Sequence, residues 1–238
     1  TIQISGLSKS YAGKKVIDNI SLTVSSGEVY GLLGANGAGK STTIECILGT
    51  RKADAGKIRI LGLDPHKDRK PIFEQVGVQF QESNYPDKIR VKELCEETAC
   101  LYRQPAEYEP LLSRFGLAEK KNAFVTELSG GQKQKLFIIL ALIADPKVVF
   151  LDELTTGLDT KARRNVWKSL LELKEQGLTI FLSSHFMDEV EMLCDRISIL
   201  RDSRFVFTGT VQEAMEQSCC EKFEDAYLWF TGEEADDE

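Results

Sequence analysis

The sequence predicts an α/β fold with a mostly parallel core sheet, an antiparallel β segment at the N-terminus and a helical subdomain inserted between strands. Three observations lead there. Gly34-Ala35-Asn36-Gly37-Ala38-Gly39-Lys40-Ser41 fits the phosphate-gripping pattern G-x-x-x-x-G-K-[ST] at every constrained position. Continuous apolar runs (Val29 to Leu33, Val148 to Leu151, Leu178 to Leu182, Ile197 to Leu200) alternate with helix-compatible stretches, the pattern of a sheet covered on both faces. From about 82 to 145, strand signals vanish and acidic, helix-favouring segments take over.

The first 27 residues read as strands joined by a turn. Thr1 to Ile4 alternates, Ala12-Gly13-Lys14-Lys15 turns, and Ile20 to Val24 alternates again. The apolar run Val29 to Leu33 then leads into the glycine loop, and Ser41 to Leu48 is helix-compatible, which is the strand–loop–helix setting the motif needs. Glycines let successive N–H groups turn inward on a polyphosphate, and the following helix aims the positive end of its dipole at the same anion. Lys40 reaches the terminal phosphates, the Ser41 hydroxyl ligates Mg²⁺, and Thr42 lies one residue further along that turn. The ligand implied is a nucleoside triphosphate.

Lys57 to Gly62 and Val76 to Phe80 are expected to be short strands, and Val91 to Tyr102 and Glu109 to Phe115 helices. Leu128-Ser129-Gly130-Gly131-Gln132 stands just ahead of the helical run Lys133 to Ala144. It makes a second helix N-terminus with free N–H groups, hence a second anion receptor. The buried-type strand Val148 to Leu151 ends in Asp152-Glu153. Asp152, at its tip, can hold the Mg²⁺ that Ser41 ligates, directly or through water, and Glu153 can orient or deprotonate a water attacking the γ-phosphate. A helix over Lys161 to Glu175, a strand over Leu178 to Leu182, a helix over Met187 to Leu193 and strands over Ile197 to Leu200 and Arg204 to Phe207 complete the alternation. A helical tail and an acidic end (Glu233, Glu234, Asp236, Asp237, Glu238) follow.

With Leu-Ser-Gly-Gly-Gln, the phosphate loop and the Asp-Glu strand all present, the chain resembles the nucleotide-binding subunit of ATP-binding cassette (ABC) proteins, which are P-loop NTPases. The resemblance spans about residues 2 to 212, implying an ATPase domain over 1–212 with its helical subdomain at about 82–145, and a C-terminal helical segment and acidic tail over 213–238. It implies that Tyr11 stacks on adenine, that Gln81 senses Mg²⁺ and the γ-phosphate, and that His185 contacts the γ-phosphate. It further implies that Thr156-Gly157-Leu158-Asp159 lies across a dimer seam, with Asp159 meeting the opposing site. Two subunits would sit head to tail, so that Ser129, Gly130, Gly131 and Gln132 of one cap the ATP gripped by Gly34 to Thr42 of the other. Leu154 stands where the family usually has proline, and Lys135 replaces a more usual arginine. Neither change removes a phosphate contact, so turnover of ATP with Mg²⁺ is expected.

Composition narrows the role. A net charge of −7 argues against nucleic acid as a partner. Six scattered cysteines without a C-x-x-C pair are expected to be reduced and structural. The longest apolar run, Leu136 to Ala144, is about half of a bilayer span, and no secretory pattern opens the chain, so a cytoplasmic protein peripheral on the inner face of the membrane is expected. The resemblance implies a transmembrane permease subunit on a separate chain, docked on the stretch Glu82 to Leu94, and a second ATPase subunit in a homo- or heterodimer. Within transporters, Asp152 to Asp159, Ser183 to Glu189 and Phe223 to Leu228 look most similar to exporters of drugs, antimicrobial peptides or polysaccharides. The alternative is a soluble member without a membrane partner, acting in translation, repair or metal-cluster assembly. One cassette, no sustained heptads and an acidic balance weigh against it.

Overall fold

An antiparallel sheet opens the chain. Strands β1 (Ile2–Tyr11) and β2 (Lys14–Val24) are joined at Ala12-Gly13, both at positive φ (48° and 80°), the two-residue turn whose twist matches that of a hairpin. Tyr11 pairs with Lys14, so the expected turn is two residues shorter and both strands are longer. Alternation then acts as read: Ile2, Ile4, Leu22 and Val24 are buried while Gln3 and Thr23 face outward. The computed structural model describes residues 1–79, 85, 86, 88–155 and 157–232; the expected strand end at Phe80, the candidate Gln81 and the acidic tail lie outside the described residues. The chain forms two compact units, Thr1–Ile72 with Phe181–Glu238, and Phe73–Ile180.

In the first unit, β3 (Val29–Leu33) is buried at all five positions and leads through the glycine loop into helix α1 (Lys40–Ile47). Strand β4 (Ala55–Ile60) returns to pair antiparallel with β1, so the expected strand over 57–62 belongs to the N-terminal sheet. It stops at Ile60 because Leu61 and Gly62 turn at positive φ. Helix α2 (Arg69–Phe73) was not legible: it is five residues long, charged, and contains Pro71.

The second unit pairs β5 (Val76–Gln79) parallel to β6 (Val148–Asp152), Val76 opposite Val148 and Gln79 opposite Leu151. Helices α3 (Val91–Ala99), α4 (Tyr108–Arg114) and α5 (Gly130–Leu142) lie between these strands in sequence. Helix α5 runs directly over β5, where a Cβ on Gly77 would stand only 2.0 Å from the Ala141 carbonyl oxygen. Helix α6 (Thr160–Glu175) and strand β7 (Thr179–Ser184) carry the chain back to the first unit.

There α7 (Met187–Leu193), β8 (Arg196–Arg201), β9 (Arg204–Gly209), α8 (Val211–Ser218) and α9 (Phe223–Thr231) follow. Strand β8 is parallel to β3 and antiparallel to β9. The Tyr30, Ser198 and Thr208 hydroxyls form a chain across these three strands, with oxygens 2.6 and 2.7 Å apart. Burial pushes the pKa of the Tyr30 phenol up, so it remains protonated and available to this chain. Phe223, Ala226, Tyr227 and Phe230 of α9 join Leu33, Ile197, Ile199 and Phe207 in one apolar cluster. The expected boundary at 212 falls inside α8, whose Ala214 belongs to the same cluster. Fully burying a side chain such as Phe223 contributes about 1.5–3 kcal/mol, so the C-terminal helices act as core. Burial raises the Cys46 thiol to about 11 and the Cys95 thiol to about 12, which keeps both protonated near neutral pH.

Candidate functional site

The phosphate loop of the first unit is fixed by close backbone approach. Gly34 has φ 154°, and a Cβ there would stand 2.6 Å from the Leu200 carbonyl oxygen; Gly39 has φ 109°, with a Cβ 2.9 Å from that of Val16. No side chain with a Cβ fits either position, so the loop is pinned to β8 on one side and β2 on the other. The Lys40 ammonium, only 6% exposed, donates to the carbonyls of Gly34 at 2.7 Å and Ala35 at 3.1 Å. It is thereby held across the loop. Gly39 is the N-cap of α1 without a side-chain cap, and no acidic residue stands in the first turn. The amides of Lys40, Ser41 and Thr42 thus open a helix whose positive end is not neutralised by a carboxylate of its own. Ala35, Asn36, Gly37 and Ser41 are exposed, and Ala38 and Thr42 half-buried. A cleft of about 460 Å³ flanks the loop, lined by Lys14, Val16, Asn36, Ala38, Arg201 and Ser203 among others.

Tyr11 and His185 belong to the same unit. The Tyr11 ring, 37% exposed, has the Lys9 ammonium and the Arg51 guanidinium each 5.4 Å from its centroid. His185 follows β7, is exposed, and lies 4.2 Å from the Phe186 ring. The Ser184 hydroxyl, accepting from the Phe186 N–H at 3.0 Å, shapes the turn that presents it. His66, by contrast, sits on an exposed loop where its N–H donates to Asp64.

The carboxylates and the second helix tip belong to the second unit. Asp152 ends β6 and is 4% exposed. Glu153 follows at φ 52°, a left-handed conformation that costs a non-glycine residue about 1–3 kcal/mol. Leu154, which replaces the family's proline, is fully buried and plugs the turn. Ser129 caps α5: its hydroxyl accepts from the Gln132 N–H at 3.2 Å, and its own N–H donates to Gln132 Oε1 at 3.0 Å. This capping box satisfies two helix-end donors and leaves Gly130 in the open, where a Cβ would meet nothing within 4 Å. A Cβ on Gly131 would stand 3.0 Å from Leu158 and 3.3 Å from the Gly157 carbonyl oxygen, so the tip packs on the 157–158 loop. Asp159 is the N-cap of α6, accepting from Ala162 N–H at 2.8 Å, and the Gln132 amide oxygen likewise serves its own helix. Gln81 lies outside the described residues.

Within the first unit, then, the structure brings together the loop, Lys40 and the start of α1. Within the second it brings together Asp152, Glu153, the Ser129–Gly131 tip and the 157–159 loop. Sequence reasoning missed Gln134, which donates to the carbonyls of Glu153 and Leu154; between Lys133 and Lys135 it reads as one more polar residue of the helix, so the sequence carries no signal for it. The sequence profile of the ABC transporter family matches residues 17–156, more than half of the chain. The chain belongs to the ABC transporter family.

This ABC ATPase is 39% identical to Nod factor export ATP-binding protein I of Rhizobium johnstonii, a likeness covering 91% of this chain and 71% of that protein. It is 38% identical to the protein of the same name from Burkholderia lata, over 90% and 72% of the two chains. A solved ATP binding subunit of an ABC transporter matches it with a TM-score of 0.88 at 29% identity, covering 97% of this chain and 99% of that one. The ABC ATPase fold is therefore established, and with it a subunit that binds and hydrolyses ATP in a transporter. Among the described residues, no helix of this ABC subunit is long and apolar enough to cross a membrane.

Proposed function

We propose that the chain is the motor of an ABC exporter, working as a head-to-tail dimer on the inner face of the membrane with a permease on a separate chain. The export direction rests on relatives named for export, at 38–39% identity over most of their length. The observation that carries the dimer is the presence of two anion-receptive helix ends in one chain: α1 with its lysine loop, and α5 with its capped, glycine-bearing tip. Each is suited to a phosphate group, and a head-to-tail pair uses both. The segment from Tyr85 into α3 is the proposed permease dock.

Lys40 grips the terminal phosphates, and the α1 amides neutralise the rest of the chain of phosphates. Tyr11 stacks on adenine, with its two flanking cations setting the ring's position. Glu153 takes the proton of the attacking water and His185 holds the γ-phosphate in line; Gln81 completes the set. Asp159 and Gln132, besides capping their own helices, lie at the proposed seam. The donor chemistry fits Mg²⁺. Ser41 and the buried Asp152 offer hard oxygen ligands, the donor class that Mg²⁺ takes alongside substrate oxygens and water. When bound, the ion neutralises charge on the phosphate oxygens.

Lys40→Ala tests the loop's role. Charge-assisted hydrogen bonds contribute about 1.5–3 kcal/mol, so ATP affinity by fluorescence titration should fall by about 10- to 100-fold. Undiminished affinity would remove Lys40 from the site.

A further inference from the structure

We propose that Gln134 is a positioning residue for the hydrolytic step, fixing the direction of the Glu153 carboxylate through the peptide backbone. The inference rests on Glu153 acting as the base. One side-chain nitrogen, Nε2, donates to two successive carbonyls, Glu153 O at 3.3 Å and Leu154 O at 2.8 Å. The first oxygen belongs to the Glu153–Leu154 peptide unit and the second to the peptide after it, and Glu153 itself is held at φ 52°. A residue in that region persists only where its surroundings over-determine it, because rotation toward negative φ relieves the crowding of its Cβ.

Leu154 anchors the turn from one side by burial, and Leu158 N–H donates to Thr155 O at 3.1 Å to close the following turn. Neither of these two contacts bears on the Glu153 carbonyl. Gln134 does, since reorienting the Glu153–Leu154 peptide pulls the Glu153 oxygen away from Nε2. The clamp is mounted on α5, whose register is fixed by the close approach of its backbone to β5 at Gly77. A carboxylate carried on a rigid strand end and a clamped turn meets water at a defined angle. The same carboxylate on a relaxed turn does not, and misplacement by about 1 Å can cost on the order of 100-fold in rate.

The test is a double-mutant cycle on the full chain. Gln134→Met keeps the length of the side chain and removes the donor; it is combined with Glu153→Gln, and ATP affinity, KM and single-turnover hydrolysis are measured for all four proteins. In the native background, Gln134→Met should lower kcat by about 10- to 100-fold with KM and ATP affinity within about twofold. In the Glu153→Gln background it should cost nothing further, because no base remains to be aimed. An equal loss in both backgrounds, a raised KM with native kcat, or native turnover would each overturn the proposal. If Glu153→Gln alone hydrolyses ATP at the native rate, the base assignment fails and the proposal with it. If that variant is slow and the cycle is additive, positioning alone fails. Should Gln134→Met not fold, Gln134→Glu, which is equal in size and sets an acceptor against both carbonyls, carries the same cycle.

Discussion

Glu153→Gln should turn over ATP about 10²- to 10⁴-fold more slowly than the native chain, with ATP affinity unchanged. The amide matches the carboxylate in shape, and the turn that carries it is held through Leu154 and the backbone carbonyls rather than through the Glu153 side chain alone. What is lost is a proton acceptor. In the proposed site, binding depends on the lysine loop, whose residues the substitution leaves unchanged. In the proposed head-to-tail dimer, hydrolysis removes the charge that bridges two subunits, so the slow variant should also accumulate as an ATP-loaded dimer, visible by size-exclusion chromatography with light scattering. Native turnover would show that another group activates the water. A slow variant that remains monomeric at saturating ATP would separate hydrolysis from dimerisation.

Ser129→Arg should reduce hydrolysis to background while leaving the ATP affinity of the monomer unchanged. Ser129 is exposed and heads α5, where Gly130 has open space and Gly131 packs on the 157–158 loop. A guanidinium on a long stem fills the region where the proposed partner's γ-phosphate docks. The substitution also removes the hydroxyl that caps Gln132 N–H, which costs about 1 kcal/mol of helix stability. Ser129→Ala is the control: it loses the same cap without adding bulk, so it should lower the melting temperature similarly and retain more activity. If Ser129→Arg abolished ATP binding by the isolated monomer, the tip would act within its own chain.

Elements whose identity is written in local pattern were legible. Strand β3 and the Val148 to Leu151 part of β6 are unbroken apolar runs, buried throughout, and the glycine loop follows β3 as the motif requires. Ser129 with Gln132 three residues on is the sequence form of a capping box, and the structure closes it. Features set by tertiary context were not legible. Leu61 gives no hint of its positive φ, which ends β4 two residues early. Glutamate at φ 52° is against local preference, and the Gln134 clamp and the buried Leu154 beside it are tertiary contacts that no local pattern shows. Asp159, read for its place at a seam, also has the ordinary task of an N-cap before α6. The C-terminal helices were placed beyond the ATPase domain by resemblance, yet their aromatic side chains pack into the core around β8 and β9. Leu154 illustrates the same limit: the sequence marks it only as a departure from a motif, whereas the structure buries it completely.

The central claim is that each ATP is held by two copies of the chain, by the lysine loop of one and by the glycine-bearing helix tip of the other. The structure of Glu153→Gln crystallised with ATP and Mg²⁺ tests it most directly. The expected result is a two-fold dimer in which Gly34 to Thr42 of one protomer wrap the phosphates and Ser129, Gly130 and Gly131 of its partner face the γ-phosphate. A nucleotide-loaded chain whose helix tip faces bulk water, with no second protomer within reach of it, would contradict the account.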